Sequence, residues 1–155
     1  MQFIQIAVLR QGRQYYALPI HCIVQIIEMV EIAPLPEYHG VIEGVINYHT
    51  TTLPVARLSS YLGLPPTSFE RDTPILIAVL AGKKVGLIVD EVLDVREQPL
   101  QEILRPDQVL PADCGEARLL TGLWQAREGT IFLLDVQRMG LPRPVDAPFA
   151  AGGEA

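Results

Sequence analysis

Apolar and polar positions alternate from the start of the chain. Phe3, Gln5 and Ala7 fall against Ile4, Ile6 and Val8, which predicts a strand over Met1–Leu9. Gln11-Gly12-Arg13 turns it into a second strand at Gln14–Leu18. Pro19 suits the first position of a short helix in which Ile20, Ile23 and Val24 recur at helical spacing. Val24–Met29 reads equally well as the next strand, because β-branched residues crowd it. Pro34 and Pro36 then break the chain before a turn at Glu37–Ile42.

The stretch Gly44–Leu64 organises what surrounds it. Val45, Ile46 and Asn47 suit a strand, Tyr48–Thr51 a polar bend, and Leu53, Pro54 and Val55 a returning strand at an edge or bulge. Leu58 and Leu62, with Gly63 as a stop, predict one or two helical turns. A second copy of this design begins at Gly122. The spacing Gly44 to Thr52 equals Gly122 to Thr130, and Leu53, Val55 and Leu58 correspond to Ile131, Leu133 and Val136. An upstream pair matches as well: Leu18 and Ile20 follow one turn as Ile88 and Asp90 follow another. The order A, B, A′, B′ predicts two similar halves that share or adjoin a core.

Between the copies, Thr67–Asp72 is polar and reads as a connection. Pro74–Leu80 is fully apolar, as in a central strand, and Gly82-Lys83-Lys84 turns it back into Val85–Val89. Asp90, Glu91 and Asp94 punctuate Val92, Leu93 and Val95, giving a strand with one wet face. Gln98–Glu116 reads as a long loop with one helical turn at Leu100–Leu104, and a short helix ends near Gly140. Pro142–Ala155 is rich in Pro, Ala and Gly and reads as a flexible C-terminal tail. No helical period persists beyond two or three turns, so the fold class is mainly β.

Composition narrows the function. Hydrophobic residues are 49% of the 155, enough for a core, and charged residues only 19%. A net charge of −6 with scattered basic residues argues against nucleic acid as a partner, since phosphate contacts need clustered Lys and Arg. The longest apolar run, Ile75–Ala81, is too short for a membrane span. Cys22 and Cys114, a lone distant pair, suggest reduced thiols and a cytoplasmic compartment.

Catalytic chemistry is thin. The serines, Ser59, Ser60 and Ser68, lack a nucleophile elbow. His21, His39 and His49 have no metal-ligand spacing, and a metal site from His49 with Cys22 is a remote reading. Asp90, Glu91 and Asp94 are the densest acidic group but have no second catalytic role beside them, so they read as a solvated strand face. Gly82-Lys83-Lys84 lacks the spacing of a phosphate loop and reads as a hairpin turn. No catalytic, cofactor or metal residue is therefore assigned. What remains is surface: exposed edges and grooves suited to binding other proteins.

Several separated motifs carry a family resemblance. Gly44-Val45-Ile46-Asn47, then Leu53-Pro54-Val55, resembles the CheW-like domain, whose GVINLRG segment precedes a PVxDLR segment. Val85–Val95, VGLIVDEVLDV, is similar to its VGIVVDxVxDV. Thr121-Gly122-Leu123 followed by Ile131-Phe132-Leu133-Leu134-Asp135 is similar to its late GLG and LILLD strands. The resemblance implies two SH3-like five-stranded β-barrel lobes with short helices in a single domain over residues 1–141. It also implies a non-catalytic chemosensory adaptor, without cofactor or membrane insertion, at membrane-associated receptor arrays. The implied partners are the regulatory domain of a CheA-type histidine kinase and the cytoplasmic tip of a chemoreceptor. The partner-binding positions it implies are Ile23, Gln25, Asn47, His49, Arg57, Asp90 and Asp94.

The chain departs from the family pattern at points near those surfaces. His49 and Thr50 stand where the family has Arg and Gly, Arg57 and Ser59 where it has Asp and Arg, and Gln25 where it has Glu. An imidazole does not replace the forked donors of a guanidinium. A divergent paralogue in a second chemosensory system, such as one for pilus-driven motility, fits these departures. Two other readings stay open: a small-molecule or metal-dependent enzyme on a β-barrel scaffold, and a CheW-like scaffold with a non-receptor partner.

Overall fold

Period-two alternation in the central strands becomes burial on both faces. The computed structural model describes residues 2–111 and 115–141; Cys114 and the tail expected at 142–155 lie outside them. The chain forms β1 (Phe3–Gln11), β2 (Gln14–Pro19), β3 (Ile23–Glu28), β4 (Ala33–His39), β5 (Ile42–Tyr48) and β6 (Thr51–Arg57). A short helix α1 (Leu58–Leu62) precedes β7 (Pro74–Leu80), β8 (Lys83–Ile88) and β9 (Glu91–Pro99). The last strands are β10 (Leu120–Gln125) and β11 (Thr130–Leu134). Gly63 ends α1 in the left-handed region at φ 67°, where a glycine carries no Cβ penalty.

These strands make two sheets. Lobe 1 has the order β10-β11-β2-β1-β9, and lobe 2 the order β3-β7-β8-β6-β5-β4. Read from its other end, lobe 2 repeats lobe 1 strand for strand: β5-β6-β8-β7-β3. In each, a hairpin strand runs parallel to a strand of the other hairpin, with Leu133 opposite Ala17 in lobe 1 and Val55 opposite Gly86 in lobe 2. The expected match of Leu53 and Val55 with Ile131 and Leu133 is therefore seen in space. The upstream match moves by one position. Gln11 pairs Gln14 and Leu80 pairs Lys83 around two-residue turns, so Leu18 corresponds to Leu87 rather than Ile88.

Each lobe takes one hairpin from each sequence half. The hairpin β1–β2 joins β10–β11, while β7–β8 joins β5–β6. The two central hairpins pack back to back. Ala7, Leu9, Tyr16 and Leu18 meet Leu76, Ala78, Val85 and Leu87 in the core between the lobes. Their alternate residues fill the separate interiors: Ile6, Val8 and Ala17 with Trp124, Ile131 and Leu133, and Ile75 and Ile77 with Ile46, Leu53 and Val55. This double use explains the uninterrupted apolar run at Ile75–Leu80, because a strand covered on both faces has no polar face to show.

Lobe 2 carries a sixth strand, β4, where a break was expected at Pro34 and Pro36. Prolines withhold backbone donors, and β4 accordingly lies at the sheet edge, pairing β5 at Ala33, Pro34 and His39. Lobe 1 has a one-residue counterpart, the isolated bridge of Leu104 to Leu123. Both contacts explain the glycines that open the two copies. A Cβ at Gly44 would strike the Ala33 carbonyl, and one at Gly122 would strike Ile103 and approach the Leu104 carbonyl.

Neither sheet closes through backbone pairing between its end strands. Side chains span both openings. In lobe 2 the Tyr48 hydroxyl donates to Gln25 Oε1, from β5 to β3. In lobe 1 Arg96 on β9 donates to Glu128, in the turn between β10 and β11.

Candidate functional site

The expected partner-binding residues fall into three groups. Ile23, Gln25, Asn47 and His49 gather at one end of lobe 2. There β3 begins, β7 ends, and the β5–β6 turn reverses the chain. Ile23 is half-buried against the core between the lobes, whereas Gln25, Asn47 and His49 are exposed. Val24 is the extra residue of a bulge between Ile23 and Gln25, and it stands 51% exposed.

The β5–β6 turn is under strain. His49 and Thr50 lie at φ 48° and 64° between the paired residues Tyr48 and Thr51, the pattern of a type I′ turn. That turn favours Asn and Gly; a non-glycine residue there costs on the order of 1 kcal/mol or more. Thr50 occupies the position where the resemblance has Gly, the residue that suits its φ of 64°. His49 stacks edge-on against Tyr48 at 4.3 Å and projects into solvent. Tyr48, absent from the sequence-based set, holds Gln25 in place from the opposite strand.

Arg57 and Asp90 form the second group, and both make several contacts within the chain. Arg57 donates to Glu43 at 2.9 Å and to the Thr67 carbonyl at 2.6 Å, and it covers the Phe69 ring at 4.1 Å. Asp90 accepts from the Gly12 amide at 2.8 Å, Gln11 Nε2 at 3.2 Å and the Thr67 hydroxyl at 2.7 Å. Together they fasten the segment after α1 and tie a lobe 1 turn to lobe 2. The Arg that departs from the family's Asp is thus already occupied within its own chain.

Asp94 stands apart in lobe 1. It accepts from Arg96 at 2.9 Å, and Arg96 also holds Glu128 at 2.6 Å. The Arg96 hydrogen bond is the main cause that lowers the Glu128 carboxyl to about 2, and the guanidinium is raised in return. Asp94 corresponds to Gln25, since β9 bulges at Leu93 as β3 does at Val24. The repeat places Asp94 with Gln25 but not the bridges themselves, since Ala126 stands in lobe 1 where Tyr48 stands in lobe 2.

Other groups are unreactive in character. Burial raises the Cys22 thiol to about 11, which keeps it protonated and a poor nucleophile. Among the described residues no cluster of three His, Cys, Asp or Glu side chains suits a metal ion. An apolar cleft of about 360 Å³ is lined by Tyr16, Leu62, Leu64, Leu120 and Phe132, with Gln14 and Gly63. Tyr16 is its titratable group, and burial raises that hydroxyl. No described helix is long and apolar enough to cross a membrane.

Comparison with known proteins gives consistent relatives. Residues 5–140 match the family model of the CheW-like domain. The chain is 23% identical over 141 residues to "Chemotaxis protein CheW" of Treponema pallidum, covering 87% of this chain and 81% of that protein. It is 26% identical over 130 residues to "Probable chemotaxis protein CheW" of Rhizobium etli, covering 84% and 83%. A crystal structure of the scaffolding protein TtCheW from Thermoanaerobacter tengcongensis superposes with a TM-score of 0.74 at 27% identity. That match covers 86% of this chain and 90% of the other.

Proposed function

Because the chain belongs to the CheW-like domain family, we propose that it is a non-catalytic cytoplasmic adaptor coupling a CheA-type histidine kinase to chemoreceptors. The kinase's regulatory domain and the receptor's cytoplasmic tip are the partners in this reading. The observation that carries it is the end of lobe 2. A strained turn presents His49 and Asn47 beside Gln25, and a tyrosine on the opposite strand holds Gln25. Strain kept at an exposed turn supports a role in contact rather than in stability. Ile23, Gln25, Asn47 and His49 form the contact surface in this reading. Arg57 and Asp90, at the far ends of β6 and β8, and Asp94 in lobe 1 lie away from that surface.

The same turn favours a divergent paralogue, serving a second chemosensory system such as pilus motility. The turn's backbone has a shape that suits Gly at Thr50, while the Arg and Gly of the family pattern are both replaced.

The test is calorimetric titration of the purified chain against the regulatory domain of each CheA-type kinase in the same genome. The same titration is made against fragments cut from the cytoplasmic tips of the receptors. Binding to one kinase and one receptor family is the expected result. Absence of binding to every kinase and every receptor would overturn the adaptor reading.

A further inference from the structure

Charge is unevenly placed on lobe 2. Three segments meet at its turn end: Ile20–Ile26, Asn47–Thr52 and Val79–Val85. They contain no Asp or Glu, in a chain with 18 carboxylates and a net charge of −6. They contain both lysines of the sequence, Lys83 and Lys84, together with His21 and His49, and all four are exposed. Among the described residues neither lysine pairs with a carboxylate, whereas Arg10, Arg57, Arg96, Arg105 and Arg138 do. The nearest lobe 1 element adds no free charge: the Ala81 amide donates to the Val136 carbonyl, and Asp135 beside it is bound to Arg138. On β7, beside the lysine strand, and on β3 beyond it, Val79 and Val24 are exposed by 37% and 51%. Lys84 lies opposite Val79 in the β7–β8 ladder.

We infer that the turn end of lobe 2 docks an acidic segment of a partner protein, whose carboxylates pair with Lys83 and Lys84 while apolar residues cover Val24 and Val79. This rests on the adaptor reading for the surface and adds the chemistry of its occupant. An isolated cationic end on an anionic protein steers an anionic partner and repels copies of itself elsewhere. A lipid surface is a poorer match, because polybasic membrane patches use on the order of four to eight Lys or Arg. A second copy is poorer too, since Asp94 and Glu128 at the matching end of lobe 1 are already held by Arg96.

The test uses two synthetic amphipathic helical peptides of about 20 residues. One carries Glu on its polar face and the other Gln at the same positions. Fluorescence anisotropy is read for the native chain, for K83Q/K84Q and for R13Q, which removes a charge from the β1–β2 turn. The acidic peptide should bind the native chain and R13Q roughly 5- to 20-fold more tightly than its neutral twin at low salt. That preference should vanish in K83Q/K84Q, and in the native chain as salt rises from about 50 to about 300 mM. Equal binding of the two peptides, or a preference that survives K83Q/K84Q, would overturn the inference. So would tighter lysine-dependent binding to phosphatidylserine vesicles, or lysine-dependent self-association in sedimentation. Receptor-tip binding unchanged in K83Q/K84Q sinks this inference and leaves the adaptor standing. An acidic preference without any kinase or receptor binding does the reverse.

Discussion

Tyr48 and Gln25 sit on strands that share no backbone ladder, and the tyrosine hydroxyl donates to the side-chain Oε1 of Gln25 across the gap. The contact bridges the open side of lobe 2 and fixes the orientation of a residue at the proposed contact surface. A carboxylate can accept the same hydrogen bond. Gln25→Glu with His49→Arg should therefore leave stability nearly unchanged while strengthening binding to an ordinary receptor tip by roughly 1–3 kcal/mol. Binding to the native partner should weaken, because specificity is a difference between affinities. Thermal melts and titrations of both proteins against both receptors check this. Equal affinity of the unaltered chain and the double variant for the ordinary receptor would remove the case for a divergent paralogue.

Thr50 at φ 64° pays the steric cost that glycine avoids. Thr50→Gly should raise stability by about 0.5–1.5 kcal/mol in urea melts, despite the greater freedom of glycine in the unfolded chain. A loss of stability would show that the threonine makes contacts outweighing its backbone strain.

Gly122→Ala should destabilise lobe 1 by about 1–3 kcal/mol, since the added methyl meets Ile103 and the Leu104 carbonyl of the bridging segment. Gly44→Ala should do the same against Ala33 in lobe 2. If either alanine variant melts like the native chain, the close backbone approach at that glycine is not part of the fold in solution.

Leu133 and Leu53 lie in the separate interiors of the two lobes, 6% and 5% exposed. Replacing either with alanine should cost on the order of 2–4 kcal/mol. Each variant should still melt in one transition, because Leu9, Leu18, Leu76 and Leu87 bind the lobes through a common core. Two resolved transitions in calorimetry would contradict that coupling.

Glu128 supplies a pH test. Its folded value of about 2 lies below the ordinary 4.5, so its pairing with Arg96 stabilises fully above the ordinary value and is lost as pH falls toward 2. Glu128→Gln should cost about 0.5–1.5 kcal/mol near neutrality. The gap between variant and native chain should close in acid. A gap that stays constant from neutral pH to about pH 2 would mean that the carboxylate's charge contributes nothing.

Local pattern alone determined much of this protein. Alternation marked most strands, equal spacing after Gly44 and Gly122 marked the repeat, and the inward placement of Leu53, Val55, Ile131 and Leu133 followed from it, because side chains in a strand alternate faces regardless of context. Motif resemblance added the family. The tertiary structure decided which hairpin joins which. Partner choice between degenerate copies depends on long-range packing, and Ala7 and Leu76 read the same whether their hairpins lie in one lobe or two. It also decided that Pro34 can sit in a strand, at an edge where no donor is missed. The site divides along the same line. Gln25 and His49 could be singled out by comparing residues in order, but Tyr48, which holds Gln25, and Lys84 stand on strands far from Gln25 along the chain. Only the curl of lobe 2 brings those strands to one end, and with them the hydrogen bond and the charge that give the surface its character.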